Sequence, residues 1–113
     1  QPQPVPDDYF TRAGIMRAVR TATLRANNRQ VNSLRPEIVK MVLDYPTITL
    51  PVEIIHGTAD KTVFLEVHGE PLERTLPNGA LTVLDGMGHM PQHHAIDDVI
   101  AAIDRAATRA GLR

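Results

Sequence analysis

Cysteine is absent from the chain. That excludes disulfides, a thiol nucleophile and any zinc site built on cysteine. Long apolar runs are missing as well, and no stretch approaches the ~20 residues that a membrane-spanning helix needs. No signal peptide is visible. An excess of one charge is also lacking, since the formal net charge at pH 7 is −1, so no strong overall field draws in a polyanionic or polycationic partner. Compartment stays unassigned, with a cytoplasmic location as the default. At 113 residues the chain is one domain's worth at most.

What is present is most ordered around residues 50–60, LPVEIIHGTAD. Pro51 opens a short apolar run of Val52, Ile54 and Ile55 that His56 and Gly57 close, the pattern of a buried strand. Glu53 is the one charge inside it. Asp60 stands on the loop past the strand's carboxyl end, the edge at which open α/β sheets build their sites. Residues 80–85, ALTVLD, form a second run of strand type and lead into Gly86-Met87-Gly88-His89-Met90. Between the two, residues 64–76 are long enough for a crossover helix, and Pro77-Asn78-Gly79 supplies a turn. A βαβ unit with parallel strands follows, so both strands end at the same edge. Asp60 and His89 are thereby expected side by side.

Those stretches, LPVEIIHGTADKTV, LPNGALTVL and DGMGHMPQHH, resemble the last third of an α/β-hydrolase. The shared pattern is a strand ending in H-G-x-x-D, a helix, L-P-N-x, a strand, then G-x-G-H-M. The resemblance covers roughly residues 46–110, and the first 45 residues look like that family's variable cap region. It implies that Asp60 is the acid and His89 the base of a catalytic triad. It also implies that the oxyanion amides and the nucleophile lie outside this chain. No G-x-S-x-G elbow occurs, and Ser33, in Val31-Asn32-Ser33-Leu34, has no such context. A complete enzyme of this kind is about twice the length or more, and this chain opens on Gln1 without Met. The expectation is therefore a carboxyl-terminal fragment, or one piece of a cleaved enzyme, inactive alone.

Residues 1–6, QPQPVP, form an extended Pro-rich connector. Asp7 and Asp8 suit a helix start. From residue 9 to about 27 the pattern is helical, with Ile15, Val19, Ala22 and Ala26 on one face and Asn27-Asn28 weakening its end. Pro36 fits the first position of a second helix over residues 37–44, and Tyr45 before Pro46 ends it. Over residues 1–35, Arg12, Arg17, Arg20, Arg25, Arg29 and Arg35 oppose only Asp7 and Asp8. With no basic run and no aromatic interleaving, they read as a solvated helix surface rather than a nucleic-acid site. At the other end, Ile96, Val99, Ile100, Ile103 and Ala107 recur at helical spacing. Asp97 and Asp98 lie in its first turn, Arg105 and Arg109 near its end, and Gly111 just beyond. This helix is expected to pack on one face of the strands.

The histidines divide. His89, His93 and His94 cluster, but H-x-x-x-H-H matches no zinc spacing, so no metal and no cofactor is expected. His56 at a strand end reads as a core or hydrogen-bonded histidine, and His68 as structural. His89 differs because neighbouring glycines let the backbone turn sharply.

The expected architecture is α/β: cap-type helices over residues 1–45, then a carboxyl-terminal βαβα part of a hydrolase core over 46–113. The expected function is hydrolysis of a small, ester-like substrate by the assembled enzyme, with Val63, Met87 and Met90 as pocket-wall residues. A dehalogenase or epoxide hydrolase with an Asp nucleophile is the alternative of similar architecture, and a non-catalytic hydrolase-like binding module is the alternative of another class. Expected partners are a small-molecule substrate and the amino-terminal remainder of the same hydrolase. Self-association through an exposed sheet edge is expected in its absence.

Overall fold

The computed structural model describes residues 3–5, 7–14 and 20–113. The fold is mixed α/β and divides into two compact units, Pro4–Asp44 and Tyr45–Arg113, with Gln3 grouped with the second.

In the first unit, α1 spans Tyr9–Arg12 and α2 spans Thr21–Val42. These bounds correct the expected helices. α1 ends after one turn, and Gly14 follows with φ +61°, a left-handed conformation that glycine adopts without a Cβ penalty. α2 then runs through Asn27, Asn28 and Pro36 without a break. Two asparagines cost a helix interior only some tenths of a kcal/mol each, too little to end it unaided. Pro36 forfeits its own amide bond and brings strain of about 3 kcal/mol, but it sits in a helix propagated on both sides. Ile15 and Val19, expected on the first helical face, lie outside the described residues. α2 buries none of its residues, and Leu24, Val31, Leu34, Val39 and Met41 are all exposed.

The second unit carries the sheet. A single 3-10 turn, Tyr45–Thr47, precedes β1 (Val52–Gly57), α3 (Gly69–Thr75), β2 (Gly79–Leu84), α4 (Pro91–His94) and α5 (Ile96–Arg109). β1 and β2 are parallel, in a register that sets Val52 beside Gly79 and Gly57 beside Leu84. Both strands therefore stop at one edge, as the βαβ pattern requires. The crossover helix is shorter than residues 64–76 allowed. Its first half is taken by turns in which the amides of Val67 and His68 both donate to the Phe64 carbonyl.

Val52 N donates to Asn78 O, and Thr58 N to Leu84 O. The alternation of a parallel ladder then turns the even-numbered amides of β2 toward β1 and leaves Leu81 N on the outer edge. Glu73 of α3 guards that edge, its Oε1 accepting from Leu81 N at 2.9 Å. The outer edge of β1 has no such guard: among the described residues no hydrogen bond reaches the outward amides of Glu53 and Ile55.

α5 packs against β1 with only part of the face its periodicity marks, since Val99 and Ala107 of that face are half-buried. Ala102 is buried and Val99 and Ala106 are half-buried, whereas Ile96, Ile100 and Ile103 are exposed. The helix is turned so that Arg105 and Arg109 reach Glu53, at 3.0 and 2.7 Å. That explains the charge inside β1. Burial pushes the Glu53 carboxyl up, but its hydrogen bonds to Arg109 and Arg105, with their charges, bring it below its ordinary value. The apolar core is thin. Leu76 and Ala102 are its buried hydrophobic residues among those described, flanked by half-buried Ile54, Ile55 and Leu81.

Candidate acid–base site

The site forms where the two strands end. Thr58 N continues the ladder to Leu84 O, and Ala59 N reaches Met87 O at 2.9 Å. Thr58 Oγ1 donates to Asp85 Oδ1 at 3.0 Å and accepts from Gly86 N at 2.8 Å. The two loops therefore adhere to each other past the last strand residues. Gly57 is needed for this contact: a Cβ there would stand 2.1 Å from the Met87 carbonyl oxygen and 2.9 Å from that of Gly88. Gly86, at φ +66°, makes the turn that leads to His89.

Asp60 and His89 meet across this junction. His89 Nδ1 lies 2.8 Å from Asp60 Oδ2, and the carboxylate side chain is only 6% exposed while the imidazole is 33% exposed. Oδ1 accepts from the amides of Thr62, at 2.8 Å, and Val63, at 3.0 Å. Burial alone would push the Asp60 carboxyl up. The His89 hydrogen bond, the amides of Val63 and Thr62 and the charge of His89 outweigh it and hold the group at about 2 against an ordinary 3.8. Asp60 is therefore ionised across the neutral range. Because an ionised carboxylate only accepts, His89 donates from Nδ1, and in the neutral ring Nε2 keeps its lone pair. Such an imidazole can take a proton from a third group, and the carboxylate stabilises the cation that results.

A cleft of about 250 Å³ adjoins the pair, lined among others by Val63, Gly88, His89, Pro91 and Gln92. Val63 thus stands where the sequence places it, beside Asp60 and His89. Met87 lines a different cleft, with Val83, Leu84 and Ile96. Met90 lines neither, and its sulfur accepts from Gln92 Nε2. Both are corrected as walls of the acid–base cleft. Closeness to His89 in sequence therefore does not by itself bring a side chain to its cavity, since Met87 and His89 line different clefts. Ser33 sits mid-helix in α2, its hydroxyl donating to the Gln30 carbonyl at 3.0 Å. Among the described residues no group of three or more His, Asp or Glu side chains converges as a metal site.

Three polar residues support the site, of which Thr58 and Gln3 went unmarked in the sequence. Thr58 ties the loops together, as above. Gln3 spans the His89 loop, donating from Nε2 to Gly86 O and accepting at Oε1 from Gly88 N, both at 2.9 Å. His56 accompanies Asp60 from the end of β1, its Nε2 3.8 Å from Oδ2. The sequence marks His56 as a core or hydrogen-bonded histidine, and it is buried with Nε2 2.9 Å from the Val63 carbonyl oxygen. No family model matches the chain, and no curated protein matches it.

Proposed function

We propose that this chain supplies the acid and the base of a nucleophile–His–acid triad in an enzyme of α/β-hydrolase type that cleaves a small, ester-like substrate. The observation that carries the reading is the 2.8 Å contact between His89 Nδ1 and a buried Asp60 at the shared end of two parallel strands. In this reading His89 Nε2 accepts the proton of a nucleophile that another segment provides, and later returns it to the leaving group. Asp60 holds the ring in the tautomer the step needs. The open outer edge of β1 and the exposed Ile96, Ile100 and Ile103 of α5 support a missing structural neighbour, which this reading takes as the remainder of the hydrolase. The adjoining cleft is compact and its lining is largely apolar, in keeping with a small substrate.

The test is turnover of a short-chain ester by the complete enzyme containing this chain. Asp60→Asn presents the wrong partner to Nδ1 and is expected to lower kcat by about 10⁴-fold, the scale of that change in a serine-protease triad. His89→Ala is expected to cost at least as much, and the double variant little more than either alone, because the residues act as a unit. Near-parental turnover in both single variants overturns the assignment. The isolated chain, with the edge of β1 open, is expected to self-associate. Sedimentation velocity over rising concentration reads this, and a folded monomer throughout counts against a missing sheet neighbour.

A further inference from the structure

We infer that His56 is a positioning residue for Asp60: its Nε2–H holds the Val63 carbonyl and so closes the turn whose amides grip the carboxylate. The purpose of that positioning rests on the acid–base reading above; the positioning itself is a matter of geometry.

Val63 faces two ways. Its N–H donates to Asp60 Oδ1 at 3.0 Å, and its carbonyl oxygen lies 2.9 Å from His56 Nε2. A carbonyl can only accept, so Nε2 carries the hydrogen and, in the neutral ring, Nδ1 does not. The imidazole is nine-tenths buried. It is wedged at the start of α3, where a Cβ on Gly69 would stand 3.0 Å from Nδ1 and 3.4 Å from Cγ. The absent side chain of Gly69 therefore leaves the space that the ring occupies at the helix start. Held there, the ring also sets its N–H edge 3.8 Å from Asp60 Oδ2, the oxygen that His89 uses. That separation is too long for a hydrogen bond, so the ring bears on Asp60 through the Val63 turn rather than by a bond of its own.

The arrangement also separates the roles of the two histidines. The N–H of His56 is committed to a backbone carbonyl inside the fold, and its task is to fix the turn of residues 60–63. His89 is partly exposed and keeps Nε2 for chemistry. A histidine that merely fills the core would stabilise the unit without bearing on the Asp60 carboxylate in particular, and that difference is measurable.

The first measurement needs no variant. Nitrogen-15 NMR of the chain, joined to its hydrolase remainder where that is required for solubility, should find the His56 ring in the Nε2–H tautomer. The Nδ1–H tautomer overturns the proposal. The second follows the Asp60 carboxyl carbon through an acid titration in the parent, in His56→Leu and in His56→Gln. Gln places an amide N–H near the position of the ring Nε2, and Leu offers none. In His56→Leu the Asp60 midpoint is expected to rise by at least about half a pH unit, with the His89 Nδ1 proton moving upfield, and His56→Gln to recover most of both shifts. Should His56→Leu fold and leave the Asp60 midpoint and that proton unmoved, positioning by His56 is refuted. If His56→Leu does not fold, His56→Phe, which keeps a ring but offers no N–H, takes its place: a raised Asp60 midpoint supports the positioning and an unmoved one refutes it. Ester turnover by the complete enzyme is recorded alongside. Absence of turnover in the parent, with the NMR effects present, removes the acid–base reading and leaves the positioning of Asp60 intact.

Discussion

α2 and the sheet-bearing unit reach order by different means. α2 spans 22 residues and buries none of them; its regularity rests on the local bonds of the helix and a surface pair, Lys40 with Glu37 at 2.9 Å. The Tyr45–Arg113 unit has a thin apolar core as well, yet distant parts of the sequence are tied together by polar contacts. Thr58 reaches Asp85 across 27 positions, Asp60 reaches His89 across 29, and Glu53 reaches Arg105 across 52. The comparison shows where specificity of structure comes from in a small chain with little buried hydrophobic surface. Local propensity can extend a helix, but only contacts between remote segments hold two side chains such as Asp60 and His89 at a fixed separation.

The contrast can be broken most severely at Gly57. Gly57→Ala forces a Cβ into the Met87 backbone, which no rotamer change relieves, and should destabilise the second unit by about 3 kcal/mol or more. A denaturant midpoint within error of the parent would show that the loops are not in the contact described. Next in size, Leu76→Ala should cost roughly 2–3 kcal/mol, since Leu76 is 7% exposed.

Acid sharpens the comparison by a smaller amount. The folded pKa of Asp60 is depressed to about 2 from 3.8, so the stability it lends is fully present above the unfolded value and is lost as pH falls from about 3.8 through about 2. Glu53, also lowered, adds in the same direction. Denaturant midpoints should hold steady above that window and decline within it. The decline should be shallower in Asp60→Asn, and a parent curve no steeper than that variant's would exclude the linkage. The smallest effect belongs to α2. Leu34 is 55% exposed, and Leu34→Ala should change stability by less than about 0.5 kcal/mol. A loss as large as that of Leu76→Ala would show that α2 has a partner surface and would erase the distinction between the units.

The parts of the fold readable from the chain were those whose signals are local or strictly periodic. Pro51 and Gly57 bracket β1, Gly79 opens β2, and Asp97, Asp98 and Gly111 mark the ends of α5. The meeting of Asp60 with His89 followed from one topological rule, that both strands of a βαβ unit end at the same edge. Other features depended on balances the sequence does not display. Asn27-Asn28 and Pro36 read as breaks, but each is a modest local cost that an extended helix absorbs. The isoleucine stripe of α5 read as its packed face, yet the pairing of Arg105 and Arg109 with Glu53 goes with a different rotation, with Ala102 inward. Met87 and Met90 sit next to His89 in the chain and away from its cleft. The bonds of His56, Thr58 and Gln3 are set by how backbone groups from distant loops happen to face, which no spacing rule encodes.

Because Thr58 N and Ala59 N carry the ladder beyond the strands to Leu84 O and Met87 O, the loops bearing Asp60 and His89 behave as one hinged flap rather than two independent tongues. Lifting one loop breaks the backbone bonds that hold the other, so the two are expected to open together. Amide hydrogen exchange would register this as matched protection at Thr58 and Ala59, both released in a single event.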